Sequence, residues 1–128
     1  MLKNKVKRPA RTLLGLIRIV NGAVGLLMPQ LFISRFDPDH QLSPAAIYAF
    51  RLFGIRTVLI GIDLLRDGPH LSRAVAAAPV IHGSDVATVV ALGAQGAIPP
   101  RTARVTTAIS TVNLLLALIA AAGSRRAG

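Results

Sequence analysis

His82 and Asp85 lie inside an apolar stretch and have the clearest chemistry of the charged or titratable residues found in such stretches. They are three residues apart, so they share one face of a helix, and histidine titrates closest to neutral pH. A histidine beside an aspartate can move a proton, and an arginine can hold a carboxylate, phosphate or enolate oxygen. We expect Arg56 to pair with Asp85 near the middle of a membrane, flanked by His82 and Asn113.

Polar residues also interrupt the first apolar stretch. Arg18, Asn21, Gly22 and Gly25 share one helical face. Small residues allow another helix to approach closely. We therefore favour the interpretation that this face is a helix-packing surface over the alternative that it forms part of a binding site. Arg18 and Asp63 both fall in the half of the membrane nearest the N-terminus, which makes them a second candidate ion pair.

The last apolar stretch carries one polar face, formed by Thr102, Thr106, Ser110 and Asn113. If such faces meet inside a bundle, they form a polar interior. The candidate ligand-binding residues are Arg18, Asn21, Arg56, Asp63, His82, Asp85, Ser110 and Asn113. His82 and Asp85 are catalytic candidates only if the protein is an enzyme.

Two interpretations of this polar interior remain open. Charged residues within a membrane are functional by default, but an ionic cluster can also serve only to fix which helices pack together. No nucleophile motif or glycine-rich phosphate loop is present, and His82 with Asp85 supplies only two metal ligands. Asp37, Asp39 and His40 are better explained as solvated turn residues than as a metal site. We therefore expect no metal and no cofactor.

Four apolar stretches predict four membrane-spanning helices, at about 12–28, 44–66, 71–97 and 102–124. A basic segment, 1–11, precedes them, and a short basic tail, 125–128, follows. Ser43 is suited to cap the second helix, with Pro44 in its first turn. Gly93, Gly96 and the prolines at 99–100 predict the end of the third. The fold class is all-α, a four-helix transmembrane bundle.

Composition supports one membrane domain and argues against other classes. The 128 residues are 52% hydrophobic and 16% charged, too few charges to cover a soluble domain. The absence of cysteine excludes disulfides and thiolate catalysis. A net charge of +10 would favour binding to nucleic acid. The chain has no Trp and one Tyr for base stacking, however, so we expect no nucleic-acid partner. The cations beside apolar spans are suited to anionic lipid headgroups.

The distribution of cations predicts the orientation. Nine flank the side that holds both termini, and three flank the other: Arg35, Arg101 and Arg104. We therefore expect cytoplasmic termini and a multi-pass protein of the cell inner (plasma) membrane.

Short motifs resemble a known family. An Arg-x-x-x-Gly pattern at 18–22, an Arg-x-x-Gly-x-Arg pattern at 51–56 and Asp85 in the third span are similar to small four-helix DoxX-like bacterial membrane proteins of unknown function. The likeness covers roughly residues 10–123. It implies a four-helix bundle with no settled general activity.

We expect a small integral membrane protein with one of two functions. Either its buried Arg/Asp/His cluster binds a lipophilic or amphipathic small molecule, or the protein serves as an accessory subunit of a membrane protein partner. An accessory subunit should expose one helix face rich in small residues. One alternative is a membrane-embedded isomerase or cyclase that uses His82 and Asp85 with Arg56. Another is a small transporter built as a homo-oligomer. Expected partners are membrane lipids in every case.

Overall fold

A computed structural model of the chain describes residues 2–40 and 43–122, and these ranges contain helices and no strand. The five α-helices described are α1 (Leu2–Leu27), α2 (Pro29–Phe36), α3 (Pro44–Leu65), α4 (Leu71–Ala94) and α5 (Pro100–Ala121). A single 3₁₀ turn, Pro38–His40, follows α2. Every α-helix except α2 contains a segment long and apolar enough to cross a membrane. The predicted all-helical fold with four apolar spans is confirmed.

Local sequence signals set several helix ends as predicted. The Ser43 side chain accepts a hydrogen bond from the Ala46 amide at 3.4 Å, and Pro44 opens α3. Proline is favoured there because its missing N–H would have no helical acceptor. After α4 ends, Gly96 has a φ of +67°, a backbone region that favours glycine. Pro100 then begins α5.

Three boundaries differ from those expected. From Leu2 onward, the basic N-terminal segment continues α1, which suits its lysines and arginines because both are good helix formers. α4 ends at Ala94 instead of 97, and α5 begins at 100 instead of 102. The tail 125–128 lies outside the described residues.

The four long helices form two pairs. α1 packs along the length of α3, α4 packs along α5, and the pairs join mainly where α1 meets α5. α3 and α4, although consecutive, touch only slightly. The core between the pairs consists of Leu14, Leu64, Ala74, Val75, Ala78, Ala117 and Ala120.

Glycines bring α1 and α3 into backbone contact. A methyl group on Gly22 would lie 2.7 Å from the Gly54 carbonyl oxygen, and one on Gly61 would lie 2.8 Å from the Gly15 carbonyl oxygen. Each helix thus carries two glycines seven residues apart, and the order of the contacts makes the helices antiparallel. Gly25 also faces α3, because a methyl group on it would lie 3.1 Å from the Phe50 carbonyl oxygen. The packing role predicted for Gly22 and Gly25 is confirmed.

Candidate functional site

The most buried polar contact in the described chain joins α1 to α4. Arg18 Nη1 lies 2.7 Å from His82 Nε2. The two residues are 5% and 3% exposed. Because a guanidinium can only donate, Nε2 must accept, and a neutral His82 therefore carries its proton on Nδ1. Arg18 thereby fixes the tautomer of His82.

The other nitrogen of His82 faces Asp85, one turn further along α4. His82 Nδ1 lies 3.2 Å from Asp85 Oδ2, close enough for attraction but without hydrogen-bond geometry. The Asp85 side chain is 47% exposed. The three side chains therefore form a row that leads from the bundle interior to its surface. The row consists of the guanidinium of Arg18, the imidazole of His82 and the carboxylate of Asp85. We call this row the Arg18–His82–Asp85 chain.

Helical periodicity explains why these residues meet. Three helices contribute small or apolar side chains to one core layer: Leu14, Ala78 and Ala117. One turn further from the N-terminal end, the same faces carry Arg18, His82 and Asn113. The Arg18 Nε and Asn113 Oδ1 atoms are buried and have no hydrogen-bond partner among the described residues. Arg18 Nε can donate one hydrogen bond, and Asn113 Oδ1 can accept up to two.

The structure corrects the ion pairs expected from sequence. Arg56 is exposed and forms no ion pair within the described residues, so the Arg56–Asp85 pair is not found. The Arg18–Asp63 pair is also not found there, because Arg18 turns toward His82. The α1 contact through Gly54 and its neighbours buries one face of α3 and leaves Arg56 outside it.

Sequence reasoning therefore missed Arg18 as the partner of His82. The sequence did carry a signal for the position of Arg56: the seven-residue glycine spacing on both helices marks the α1–α3 contact and so predicts which face of α3 is turned away from α1. The polar face predicted for α5 is confirmed, since Ser110 and Asn113 are buried. Asn21 is half-buried, with no side-chain hydrogen bond among the described residues.

A cleft separates α3 from α4 where the two helices touch only slightly. It encloses about 310 Å³. Its walls are apolar: Ile60, Ala74, Ala77 and Ile81. Its end nearest the α3–α4 turn is polar: Asp63, His70 and Arg73. A site with apolar walls and a few polar groups suits an amphipathic molecule.

Arg56 and Asp85 lie one turn beyond the residues that line this α3–α4 cleft. Arg56 shares a helical row with Ile60 and Asp63, and Asp85 lies one turn beyond Ile81. The two charged side chains form no ion pair with each other in the described part of the chain.

His82 is poorly placed for acid–base catalysis, because one ring nitrogen meets Arg18 and the other faces Asp85. A substrate could reach it only after one contact breaks. Within residues 2–40 and 43–122, no three His, Cys, Asp or Glu side chains gather to hold a metal.

Fold and site together define a small helical protein with four helices suited to a membrane and a buried Arg–His contact beside an open cleft. No family model matches this chain, and neither a curated protein nor a solved structure is detectably similar to it.

Proposed function

We propose that this multi-pass membrane protein binds an amphipathic small molecule in the α3–α4 cleft, with Arg56 and Asp85 holding its polar group. The observation that carries the proposal is the cleft itself. Its apolar walls include Ile60 and Ile81, and one helical turn beyond these two residues lie Arg56 and Asp85, which form no ion pair with each other in the described residues.

The depth of these charges supports a polar occupant. Arg56 is nine residues from the end of α3 at Leu65, or about 14 Å along the helix axis. That is close to the middle of a hydrocarbon layer about 30 Å thick. A charge exposed to lipid there costs roughly 2.5–3.5 kcal/mol on insertion scales. A ligand that hydrogen-bonds Arg56 would offset that cost.

In this proposal, Asp85 of the Arg18–His82–Asp85 chain supplies the acceptor. His82 is almost fully buried and held by Arg18, and its Nδ1 lies 3.2 Å from Asp85 Oδ2. Arg56 donates hydrogen bonds and ionised Asp85 accepts them. The complementary ligand has an apolar body and a polar group with both a carbonyl or carboxylate oxygen and a hydroxyl.

Native mass spectrometry of the protein released from its own membranes in mild detergent tests the proposal. We expect a stoichiometric additional mass that is lost in Arg56→Leu. Arg51→Leu is the matched control, because Arg51 is also an exposed arginine of α3 but lies off the row of Ile60 and Asp63. Asp85→Asn should also lose the mass and remain folded.

Two outcomes would count against ligand binding. One is a bare protein from native membranes. The other is a bound mass that persists in Arg56→Leu and Asp85→Asn, since it would then lie elsewhere. The mass itself would identify the chemical class of the ligand.

A role as accessory subunit is the second candidate, and the outer face of α4 favours it. Small side chains occupy most of its exposed positions beyond the first turn, namely Ala76, Ser84, Ala87, Thr88, Ala91 and Ala94, although Val80 and Val90 are exposed too. The exposed positions of α5 include more large side chains: Val105, Ile109, Val112, Leu115, Leu118 and Ile119. Small faces let helices approach closely in lipid.

A pair of size-matched variants tests this second role. Ala87→Leu on the small face of α4 should dissociate a native membrane complex, whereas Ala108→Leu at an exposed position of α5 should preserve it. Complex mass on native gels would report the difference. Equal behaviour of the two variants would argue against docking through α4.

The cation distribution supports a proposed orientation with the N-terminus in the cytoplasm and the helices in the inner membrane. The chain has no cysteine, so single-cysteine variants give an unambiguous test. Lys5→Cys should resist a membrane-impermeant maleimide in intact cells, and Arg101→Cys should react. The reverse pattern would invert the orientation. The DoxX-like resemblance stays a prediction.

A further inference from the structure

A second cavity lies at the opposite edge of the bundle's N-terminal end, where α1 meets the start of α4. It encloses about 340 Å³. Its cationic side is formed by three residues of α1: Lys7, Arg8 and Arg11. Its remaining lining is Gly68, Leu71, Ser72, Val75 and Ala120. It shares no lining residue with the α3–α4 cleft.

One carboxylate partly balances this charge. Both terminal nitrogens of Arg11 donate to Asp67 Oδ1 at 3.2 Å. Arg11 Nε is buried and has no hydrogen-bond partner among the described residues. Neither Lys7 nor Arg8 forms an ion pair within the described part of the chain. The cavity therefore keeps an excess of positive charge beside a fixed arginine.

The other side of the cavity is apolar. Leu71 and Val75 lie one turn apart on α4, and Ala120 faces them from the end of α5. Ser72 adds a hydroxyl near the start of α4, where the first amide N–H groups lack helical acceptors and favour anions. Cations and apolar surface thus meet at the end of the membrane-spanning segments.

We infer that this cavity, which we call the basic cavity, binds a phosphate group, and that its apolar side favours the phosphate of an anionic phospholipid over that of a soluble compound. Lys7 and Arg8 contact the phosphate, Arg11 is held in position by Asp67, and the first part of an acyl chain lies on Leu71 and Val75. This inference is independent of the ligand proposed for the α3–α4 cleft.

The test compares lipid binding by the full chain in neutral detergent, measured by native mass spectrometry with phosphatidylglycerol and with phosphatidylcholine. The double variant Lys7→Gln/Arg8→Gln should bind phosphatidylglycerol about tenfold or more weakly, given what each cation near an anionic headgroup contributes. Lys5→Gln/Arg66→Gln removes the same charge from the same end of the bundle but touches no lining residue, and should bind as the native protein does.

Glycerol 3-phosphate, added without lipid, identifies the source of the phosphate. Weak binding of this compound and tight binding of phosphatidylglycerol would support the lipid headgroup. Equal binding of both, lost in Lys7→Gln/Arg8→Gln, would support the phosphate site and assign it to soluble phosphates. Equal losses of phosphatidylglycerol in the two double variants, or no preference over phosphatidylcholine, would overturn the inference, because charge at this end would then act without a specific site. Unchanged melting temperatures would show that all variants are folded.

Discussion

α3 has two faces with opposite characters. On one, Gly54 and Gly61 let the backbone of α1 approach until no methyl group could be inserted. On the other, Ile60 and Asp63 line a cleft between α3 and α4, and Arg56 lies one turn beyond Ile60. The same 22 residues thus provide both the closest helix contact described and a contact that stays partly open.

The difference between these faces follows from side-chain size and charge. In lipid, apolar surface gives little reason for helices to associate, so close backbone packing has to hold them together. Glycines make that contact on the α1 side. On the α4 side, larger and charged side chains leave a cleft between the helices. Close packing thus belongs to one face of α3, and the other face is the one that we propose for ligand binding.

The largest expected effect comes from adding a methyl group at the glycine contact between α1 and α3. In Gly54→Ala, the added methyl would lie 2.5 Å from the Gly22 carbonyl oxygen and 2.9 Å from the Gly25 carbonyl carbon, so backbone atoms would have to move. We expect a loss of about 3 kcal/mol or more in the free energy of unfolding, at the upper end of overpacking effects. Thermal unfolding in detergent measures it.

Gly83→Ala is the control for that experiment, since a methyl group there would meet nothing within 4 Å. The same substitution should be neutral or stabilise α4 by up to about 1 kcal/mol through helix propensity. Similar destabilisation at both positions would mean that backbone contact is not what distinguishes the α1 side of α3.

The next effect concerns the Arg18–His82–Asp85 chain behind the cleft. His82→Leu leaves a buried guanidinium without its acceptor, which should cost about 1.5–3 kcal/mol for a hydrogen bond to a charged group. His82→Gln should cost less, because its amide oxygen can still accept. Arg18→Met combined with His82→Leu should recover much of the loss.

The free energies of unfolding of Arg18→Met, His82→Leu and the double variant give the coupling energy between Arg18 and His82. Additive losses would indicate that Arg18 and His82 do not depend on each other, in contradiction to their 2.7 Å contact.

Arg56→Leu should change stability least among the changes to α3. The side chain is exposed and has no described partner, so its loss should alter the free energy of unfolding in detergent by no more than about 0.5 kcal/mol. Ligand mass, in contrast, should disappear. A large destabilisation without any loss of ligand would make the open face of α3 structural, like the glycine face.

Much of the fold follows from the sequence, but less of the site does. Length and hydropathy predicted four spans because a membrane imposes both on any crossing helix. The face of α5 that buries Ser110 and Asn113 also followed from its periodicity. The partner of His82 did not, because periodicity gives the face of a residue within its own helix and not the rotation of one helix against another. That rotation depends on the contacts of Gly15 and Gly22 with α3.

The smallest expected effect is on the pKa of His40, which belongs to one of two His–Asp pairs with the same three-residue spacing. In the exposed turn after α2, His40 Nδ1 lies 2.9 Å from Asp37 Oδ1, and this hydrogen bond, assisted by the charges of Asp37 and Asp39, raises the pKa of His40 above its ordinary value. A raised pKa favours the folded state at pH below the ordinary histidine value of about 6.5, and the effect is lost as pH rises through the raised value. Asp37→Asn should lower the pKa of His40 more than Asp39→Asn does, as NMR titration of the ring protons would show.

The buried pair in α4 has the same spacing but different surroundings. Solvent reaches His40 freely, whereas the Nε2 of His82 is occupied by a donor from Arg18. The same three-residue spacing therefore gives an isolated pair in an exposed turn and one step of the Arg18–His82–Asp85 chain in the bundle. Equal changes in the pKa of His40 in Asp37→Asn and Asp39→Asn would mean that the overall charge of the turn, and not the direct hydrogen bond to Asp37, sets that pKa.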